Sequence, residues 1–141
     1  MNAIFFYGLF MDAKLLEKKG LHPRRVGSAK LPDFRIQIGN RATLVPCAGS
    51  VSYGVVMALS AEEARSLYSE ASVRDYQPEP VLAQLIEGSE TIDAMCYNLA
   101  PDSAGTGTNA EYAMRLSKLV LELGFPPAYA DEIARYGRVT K

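Results

Sequence analysis

Apolar segments with the pattern of β-strands follow one another along this chain, and most of their connections are short. They cover residues 4–6, 26–38, 42–45, 51–59, 81–86 and 91–99. Phe34, Ile36 and Ile38 alternate with polar residues, as expected for a strand with one buried face. Parallel neighbours need long crossover connections, so short connections favour antiparallel pairing. The pattern predicts a small curled sheet or barrel.

Two glycines refine this prediction. Gly54 lies inside the strand predicted at 51–59, which indicates a bulge or a close approach of another backbone. Gly88 lies between the last two predicted strands and favours a hairpin there.

Helix signals occupy the remaining segments. The predicted helices cover residues 12–19, 61–69, 110–124 and 126–135, and a polar loop covers 101–108. Asp12 and Asn109 are typical N-cap residues, and Ser60 with Glu63 makes a capping box. Together, the strands and helices predict a single α+β domain over residues 1–141.

Charge and hydropathy exclude several classes of partner. The chain has 15 basic and 16 acidic residues, a net charge of −1 that leaves no basic surface for nucleic acid or an anionic membrane. No apolar run is long enough to cross a bilayer, and the first residues lack the pattern of a signal peptide. We therefore expect a cytoplasmic protein without nucleic-acid or membrane partners.

Few residues favour metal or nucleophilic chemistry. Cys47 and Cys96 are the only cysteines and lie in strand-like segments, so we expect buried free thiols. They cannot make a usual zinc site with the single histidine, His22, which lies in a turn. Ser–His or Cys–His catalysis would depend on that one position. We expect neither a metal nor a cofactor.

The first strand runs directly into a short apolar connection, residues 7–11, that leads to a helix. Connections of this kind place backbone N–H groups near a helix N-terminus, where negative charge is stabilised. The alternative is purely structural, with Gly8 relieving a tight turn and Tyr7 packing in the core.

Carboxylates are the remaining candidates for acid–base chemistry. Glu62 and Glu63 are explained by their place in a first helical turn. Glu70 differs because it lies at the predicted end of that helix, where the helix dipole disfavours a negative charge, and apolar residues are its neighbours. A partly buried carboxylate there would suit a general acid or base. A plain surface position is an equal alternative.

Three stretches of the chain resemble the γ-glutamylcyclotransferase-like family, which includes the AIG2-like proteins and the γ-glutamylamine cyclotransferases. They are FFYGLFMD at 5–12, YGVVMALSAEEARSLYSEASVRDY at 53–76 and EYAMRLSKLVLELGFPPAYADEI at 111–133. The resemblance implies a small mixed, mostly antiparallel β-barrel flanked by helices. It also implies a reaction without a cofactor, in which a γ-glutamyl amide is cyclised to 5-oxoproline and an amine or amino acid is released.

The resemblance implies functions for particular residues. Glu70 stands at the catalytic glutamate of the family and would carry protons from the α-ammonium to the leaving amine. The substrate-binding residues would be Tyr7, Gly8, Leu9, Phe10, Tyr76 and Tyr112. A packing role for Tyr76 and Tyr112 is the alternative.

Three positions depart from the family pattern. Leu9 replaces a small hydroxyl residue, Tyr68 replaces an aspartate and Ala71 replaces a glycine. These changes leave the substrate open between glutathione, γ-glutamyl amines and other small γ-glutamyl amides. They also leave open a binding or accessory module without turnover, which an ion-paired Glu70 outside the cleft would favour. A third alternative is a domain that serves another enzyme, and the oligomeric state stays undetermined.

Overall fold

A computed structural model of the chain describes residues 2–71, 73–88, 90–100 and 109–137. The polar loop predicted at 101–108 lies outside the described residues. Among the described residues, no helix has the length and apolar character that a membrane span requires.

Five strands of the described residues form a closed barrel. They are β1 (Asn2–Phe6), β2 (Arg24–Ile38), β3 (Ala42–Leu59), β4 (Gln77–Leu85) and β5 (Thr91–Asn98), in the spatial order β1-β3-β2-β4-β5. Neighbours are antiparallel except β1 and β5, whose parallel pairing at Ile4 and Met95 closes the barrel. The expected mixed, mostly antiparallel barrel is therefore confirmed.

The long hairpin of β2 and β3 corrects one prediction. Residues 42–45 and 51–59 were expected to form two strands separated at Pro46, but β3 is continuous from Ala42 to Leu59. Pro46 is exposed and lies where the pairing of β2 with β3 shifts register, between Pro32 and Phe34. A proline is tolerated at such an irregularity because no regular ladder hydrogen bond is needed from it.

Gly54 makes the close backbone approach that its position predicted. A Cβ atom placed on Gly54 would collide with the carbonyl oxygen of Phe6 and with the ring of Phe5. The absence of a side chain at Gly54 lets the end of β1 lie against β3, immediately before the chain enters the residue 7–11 connection.

In the part of the chain that the structure describes, four α-helices flank the barrel: α1 (Ala13–Lys18), α2 (Ala61–Leu67), α3 (Ala110–Glu122) and α4 (Pro127–Ala134). Short 3-10 turns cover Leu9–Met11 and Arg135–Gly137. The predicted caps are confirmed, since the side chains of Asp12 and Asn109 accept hydrogen bonds from backbone N–H groups two and three residues later.

The capping box of α2 also links two parts of the chain. Ser60 and Glu63 exchange side-chain and backbone hydrogen bonds, and Glu63 accepts a further hydrogen bond from the backbone of His22 at 2.7 Å. These backbone hydrogen bonds lower the pKa of Glu63. The connection between α1 and β2 is thus joined to the start of α2.

The predicted end of α2 is wrong by two residues. The helix ends at Leu67 with Tyr68 as its C-cap, and Glu70 lies in the following turn rather than at the helix end. The backbone carbonyl of Glu70 accepts hydrogen bonds from Val73 and Arg74. Its distance from the helix end removes the argument that the dipole of α2 disfavours its charge.

Both cysteines are free thiols, as expected, but only one is buried. Cys96 faces the barrel core, and burial raises its pKa. Cys47 is partly exposed because it lies at the irregular part of β3. The core itself contains Ile4, Phe5 and Leu59 among its fully buried side chains.

Candidate functional site

A cavity of about 540 Å³ opens where β1 ends, between the 7–11 connection, the tip of the β2–β3 hairpin and the first turn of α3. Its volume is in the range of small-molecule sites. Its lining includes six residues named from the sequence: Tyr7, Gly8, Leu9, Phe10, Tyr76 and Tyr112. The barrel therefore brings together residues that lie as far apart in the chain as β1 and α3.

The connection that follows β1 is a single tight turn. The N–H groups of Met11 and Asp12 donate to the carbonyls of Gly8 and Leu9, each at 3.0 Å. Asp12 then caps α1 through its side chain. These bonds fix the backbone of residues 7–10 along one wall of the cavity.

Gly8 is required for space rather than for an unusual backbone conformation. Its backbone is extended, but a Cβ atom there would lie 2.5 Å from the hydroxyl oxygen of Tyr112. The same hydroxyl is hydrogen-bonded by the backbone N–H of Leu9, and burial raises the pKa of Tyr112. Tyr112 thus holds the turn from the side of α3.

We expect Gly8→Ala to be destabilising and Tyr112→Phe to relieve that effect. The added methyl displaces the Tyr112 hydroxyl, at a cost of about 1–2 kcal/mol. In the double variant the clashing oxygen is gone, and the next atom, Cζ, is 3.9 Å from the added Cβ. Urea unfolding of the four proteins should give a coupling energy of at least about 1 kcal/mol. Additive losses would contradict the close contact.

Tyr7 belongs to a hydrogen-bonded chain inside the barrel. Its hydroxyl donates to the carbonyl of Tyr97 at 2.9 Å and is hydrogen-bonded by the Thr43 hydroxyl, which also accepts from the N–H of Leu99. Tyr7 is only 6% exposed, and burial raises its pKa well above the ordinary value. Its hydroxyl therefore links the end of β1 to β3 and β5, while its ring lines the cavity.

The raised pKa of Tyr7 predicts a pH dependence of stability. Above pH 10 the unfolded chain loses a tyrosine proton that the folded chain keeps, so the free energy of unfolding falls as pH rises. Other tyrosines whose pKa is raised by desolvation, such as Tyr68 and Tyr129, add to the same trend. We expect Tyr7→Phe to reduce the slope between pH 10 and 11 by about 1 kcal/mol per pH unit. Urea unfolding at both pH values measures it, and an unchanged slope would contradict the burial of the Tyr7 phenol.

Aromatic rings form a second wall of the cavity. Tyr68 stacks on Tyr97 with ring centroids 3.7 Å apart and planes 6° apart, and the ring of Phe10 meets Tyr68 edge-on. Tyr76 donates a hydrogen bond to the carbonyl of Ala42 at the start of β3. Tyr68, which departs from the family pattern, therefore contributes a flat apolar surface where that pattern has an aspartate.

The charged part of the lining is positive. Among the described residues, four cations and no carboxylate line the cavity: Lys18, Lys19, Arg41 and Arg115. Lys19 pairs with Glu70 and Arg41 pairs with Asp75 at 3.3 Å. The guanidinium of Arg41 also lies over the ring of Tyr76, 5.7 Å from its centroid. Such a lining favours an anionic group on a ligand.

Glu70 is not part of the lining and stands at the rim of the cavity. Its Oε1 lies 2.7 Å from Nζ of Lys19, a lining residue, and its side chain is 37% exposed. Tyr68 and Val73, on either side of it in the chain, do line the cavity. Glu70 is therefore partly buried, as the acid–base interpretation requires, but in this arrangement it pairs with Lys19 and does not line the cavity.

Comparison with known families assigns the chain. The model of the family described as gamma-glutamyl cyclotransferase, AIG2-like, matches residues 4–114, which include the end of β1, the turn and Glu70. The chain belongs to this family. No curated protein matches it significantly.

Solved structures share the fold of this AIG2-like chain. A gamma-glutamyl cyclotransferase matches 94% of this chain and 85% of its own with a TM-score of 0.75 and 19% identity. YkqA from Bacillus subtilis matches 96% of this chain and 54% of its own, with a TM-score of 0.77 and 19% identity. An AIG2-like protein from Mus musculus matches 79% of this chain and 90% of its own, with a TM-score of 0.61 and 18% identity. At these identities the likeness establishes the fold alone.

Sequence reasoning missed the cations of this AIG2-like cavity. Lys19 and Arg41 were given no functional role. Lys19 is the C-cap of α1, the helix that begins directly after the turn, and Arg41 lies at the tip of the β2–β3 hairpin. No local pattern distinguishes them from surface residues. Their position on the cavity follows from how the barrel closes.

Proposed function

We propose that this protein cyclises a γ-glutamyl amide to 5-oxoproline. The α-amine nitrogen of the substrate attacks its own γ-carbonyl carbon, a lactam C–N bond forms and the amide C–N bond breaks. The proton that leaves the attacking nitrogen goes to the departing amine, so no water is consumed and no protein nucleophile is needed. The observation that carries this proposal is that the turn at 7–10 and a group of cations line one cavity, and that one of these cations, Lys19, is ion-paired with Glu70.

The turn at 7–10 would stabilise the negative charge that develops on the γ-carbonyl oxygen. The N–H of Leu9 is already used by the Tyr112 hydroxyl. The N–H groups of Gly8 and Phe10 are therefore the donors that we assign to the oxyanion. Fixed donors of this kind need no reorganisation during the reaction, which is why the tight bonding of the turn supports the assignment.

Glu70 would act as the general acid and base. A carboxylate that accepts a proton from the α-ammonium and returns it to the leaving amine serves both halves of the reaction. The cations of the lining would hold the α-carboxylate of the substrate and orient the amine for attack. The stacked rings of Tyr68 and Tyr97 would contact the released half of the substrate.

The experiment is an assay of 5-oxoproline release by the purified protein. A panel of γ-glutamyl amino acids, γ-glutamyl amines and glutathione covers the substrate classes that the sequence leaves open. We expect release from at least one class, and the ranking identifies the leaving group. A folded protein that releases no 5-oxoproline from any member would count against the proposal.

One observation favours a second candidate, a binding module on the same scaffold. Glu70 is occupied by Lys19 and lies outside the cavity lining. In that case a γ-glutamyl compound would raise the melting temperature, more at higher ligand concentration and for tighter ligands, without being consumed. Ligand-dependent stabilisation combined with full recovery of the intact ligand would identify this alternative.

A further inference from the structure

The ion pair between Lys19 and Glu70 joins a residue of the cavity lining to the carboxylate at the rim. We propose that Lys19 positions Glu70 through this ion pair and releases it when the α-carboxylate of the substrate binds Lys19. The freed Glu70 carboxylate then forms an ion pair with the α-ammonium of the same substrate. This exchange rests on the cyclisation proposed above and adds a coupling between recognition of the carboxylate and availability of the base.

The geometry of the pair permits such an exchange. Nζ of Lys19 is 2.7 Å from Oε1 of Glu70, and the two side chains are 34% and 37% exposed. An ion pair in contact with water contributes little to stability, so separating it costs little. Nζ also lies 6.0 Å from the centroid of the Phe10 ring, which lines the cavity. The lysine therefore already stands at the entrance to the site.

The chemistry of the substrate supplies both replacement partners. An amino-acid head group carries a carboxylate and an ammonium on one carbon atom. When it binds, the α-carboxylate of the substrate replaces the Glu70 carboxylate as the partner of Lys19. The α-ammonium of the substrate replaces the Lys19 ammonium as the partner of Glu70. All four charges stay paired throughout, which avoids the cost of leaving a charge desolvated and alone. The new partner of Glu70 is the group whose proton must be removed.

Lys19 is distinguished from the other cations of the cavity by its partner. Arg41 pairs with Asp75, which is 64% exposed, and packs on Tyr76. Of the two cavity cations that form ion pairs among the described residues, Lys19 is therefore the one that contacts Glu70. The backbone also places it well, since Lys19 is the C-cap of the short helix α1 that begins directly after the turn at 7–10.

The test compares two substrates that differ only in the α-carboxylate. One is the γ-glutamyl amide that the panel identifies, and the other is the matching N-substituted 4-aminobutanamide, whose cyclisation gives pyrrolidin-2-one. For Lys19→Gln we expect KM of the γ-glutamyl amide to rise about 10- to 100-fold, the range of a charged hydrogen bond. For the compound without the carboxylate we expect no rise, because Glu70 is no longer occupied. Lys19→Arg keeps the positive charge and should bring KM most of the way back to the parental value. Lys14→Gln, on the exposed side of α1, is the matched control.

The outcomes separate a positioning role from a structural one. An equal loss with both substrates, or no change with either, would overturn the proposed exchange while Glu70-dependent release of 5-oxoproline still supported the function. A parent protein without turnover can be tested by binding of the two compounds with the γ-carbonyl reduced to CH₂. A difference between them that depends on Lys19 would support the exchange and count against cyclisation, and no difference would overturn the exchange as well.

Discussion

Glu70→Gln is expected to lower the rate of 5-oxoproline release by at least about 100-fold, the lower end of what general acid–base catalysis contributes. A glutamine side chain keeps the size and the hydrogen-bonding oxygen of glutamate but cannot exchange protons at neutral pH. The fold should be retained, because an exposed pair such as Lys19–Glu70 contributes less than about 1 kcal/mol to stability. The rate of release at saturating substrate and a urea unfolding curve measure the two effects.

Glu62→Gln is the matched control for this experiment. Glu62→Gln is the same substitution at an exposed position in the first turn of α2, and Glu62 does not line the cavity. We expect that variant to release 5-oxoproline at the rate of the parent. If Glu70→Gln also kept the parental rate, Glu70 would not be the proton carrier, and another group would have to be assigned.

Gly54→Ala is expected to lower the free energy of unfolding by at least about 2 kcal/mol, the cost of forcing an extra methyl into a packed site. The added Cβ would collide with the backbone oxygen of Phe6 and the ring of Phe5. Backbone cannot rotate away as a flexible side chain can, so β1 and β3 must separate. Because β1 leads directly into the turn at 7–10, we also expect weaker ligand binding. Urea unfolding measures the first effect.

Gly27→Ala tests whether this loss is specific to position 54. Gly27 also lies in the barrel, but a Cβ there would meet Leu85 at 3.5 Å, an ordinary van der Waals contact. We expect its free energy of unfolding to change by less than about 1 kcal/mol, since Gly→Ala also reduces the entropy of the unfolded chain. Equal losses in both variants would contradict the close approach of β1 to β3 as the cause.

The elements of the fold could be predicted from local signals. The caps at Asp12 and Asn109 and the capping box at Ser60 give the starts of three helices because each depends on residues a few positions apart. The continuity of β3 through Pro46 could not be predicted in this way. It depends on the register shift against β2, which is a property of the pairing and not of either strand alone.

In the candidate site, too, contacts between neighbouring residues could be predicted and contacts between distant residues could not. The turn at 7–10 could be recognised because strand, turn and helix are consecutive. The pairing of Lys19 with Glu70 joins residues 51 positions apart, and the stacking of Tyr68 on Tyr97 also joins distant segments. No local pattern contains such contacts, so the position of Glu70 at the rim could only be seen once the barrel had closed.

The most direct measurement is the identity of the products. Proton NMR of the purified protein with the best γ-glutamyl amide of the panel follows both halves of the substrate. The account predicts 5-oxoproline and the free amine in equal amounts, without glutamate. Glutamate together with the amine would mean that water is the attacking group, and an unchanged substrate with a folded protein would mean that the cavity binds without catalysing; either result would contradict intramolecular cyclisation.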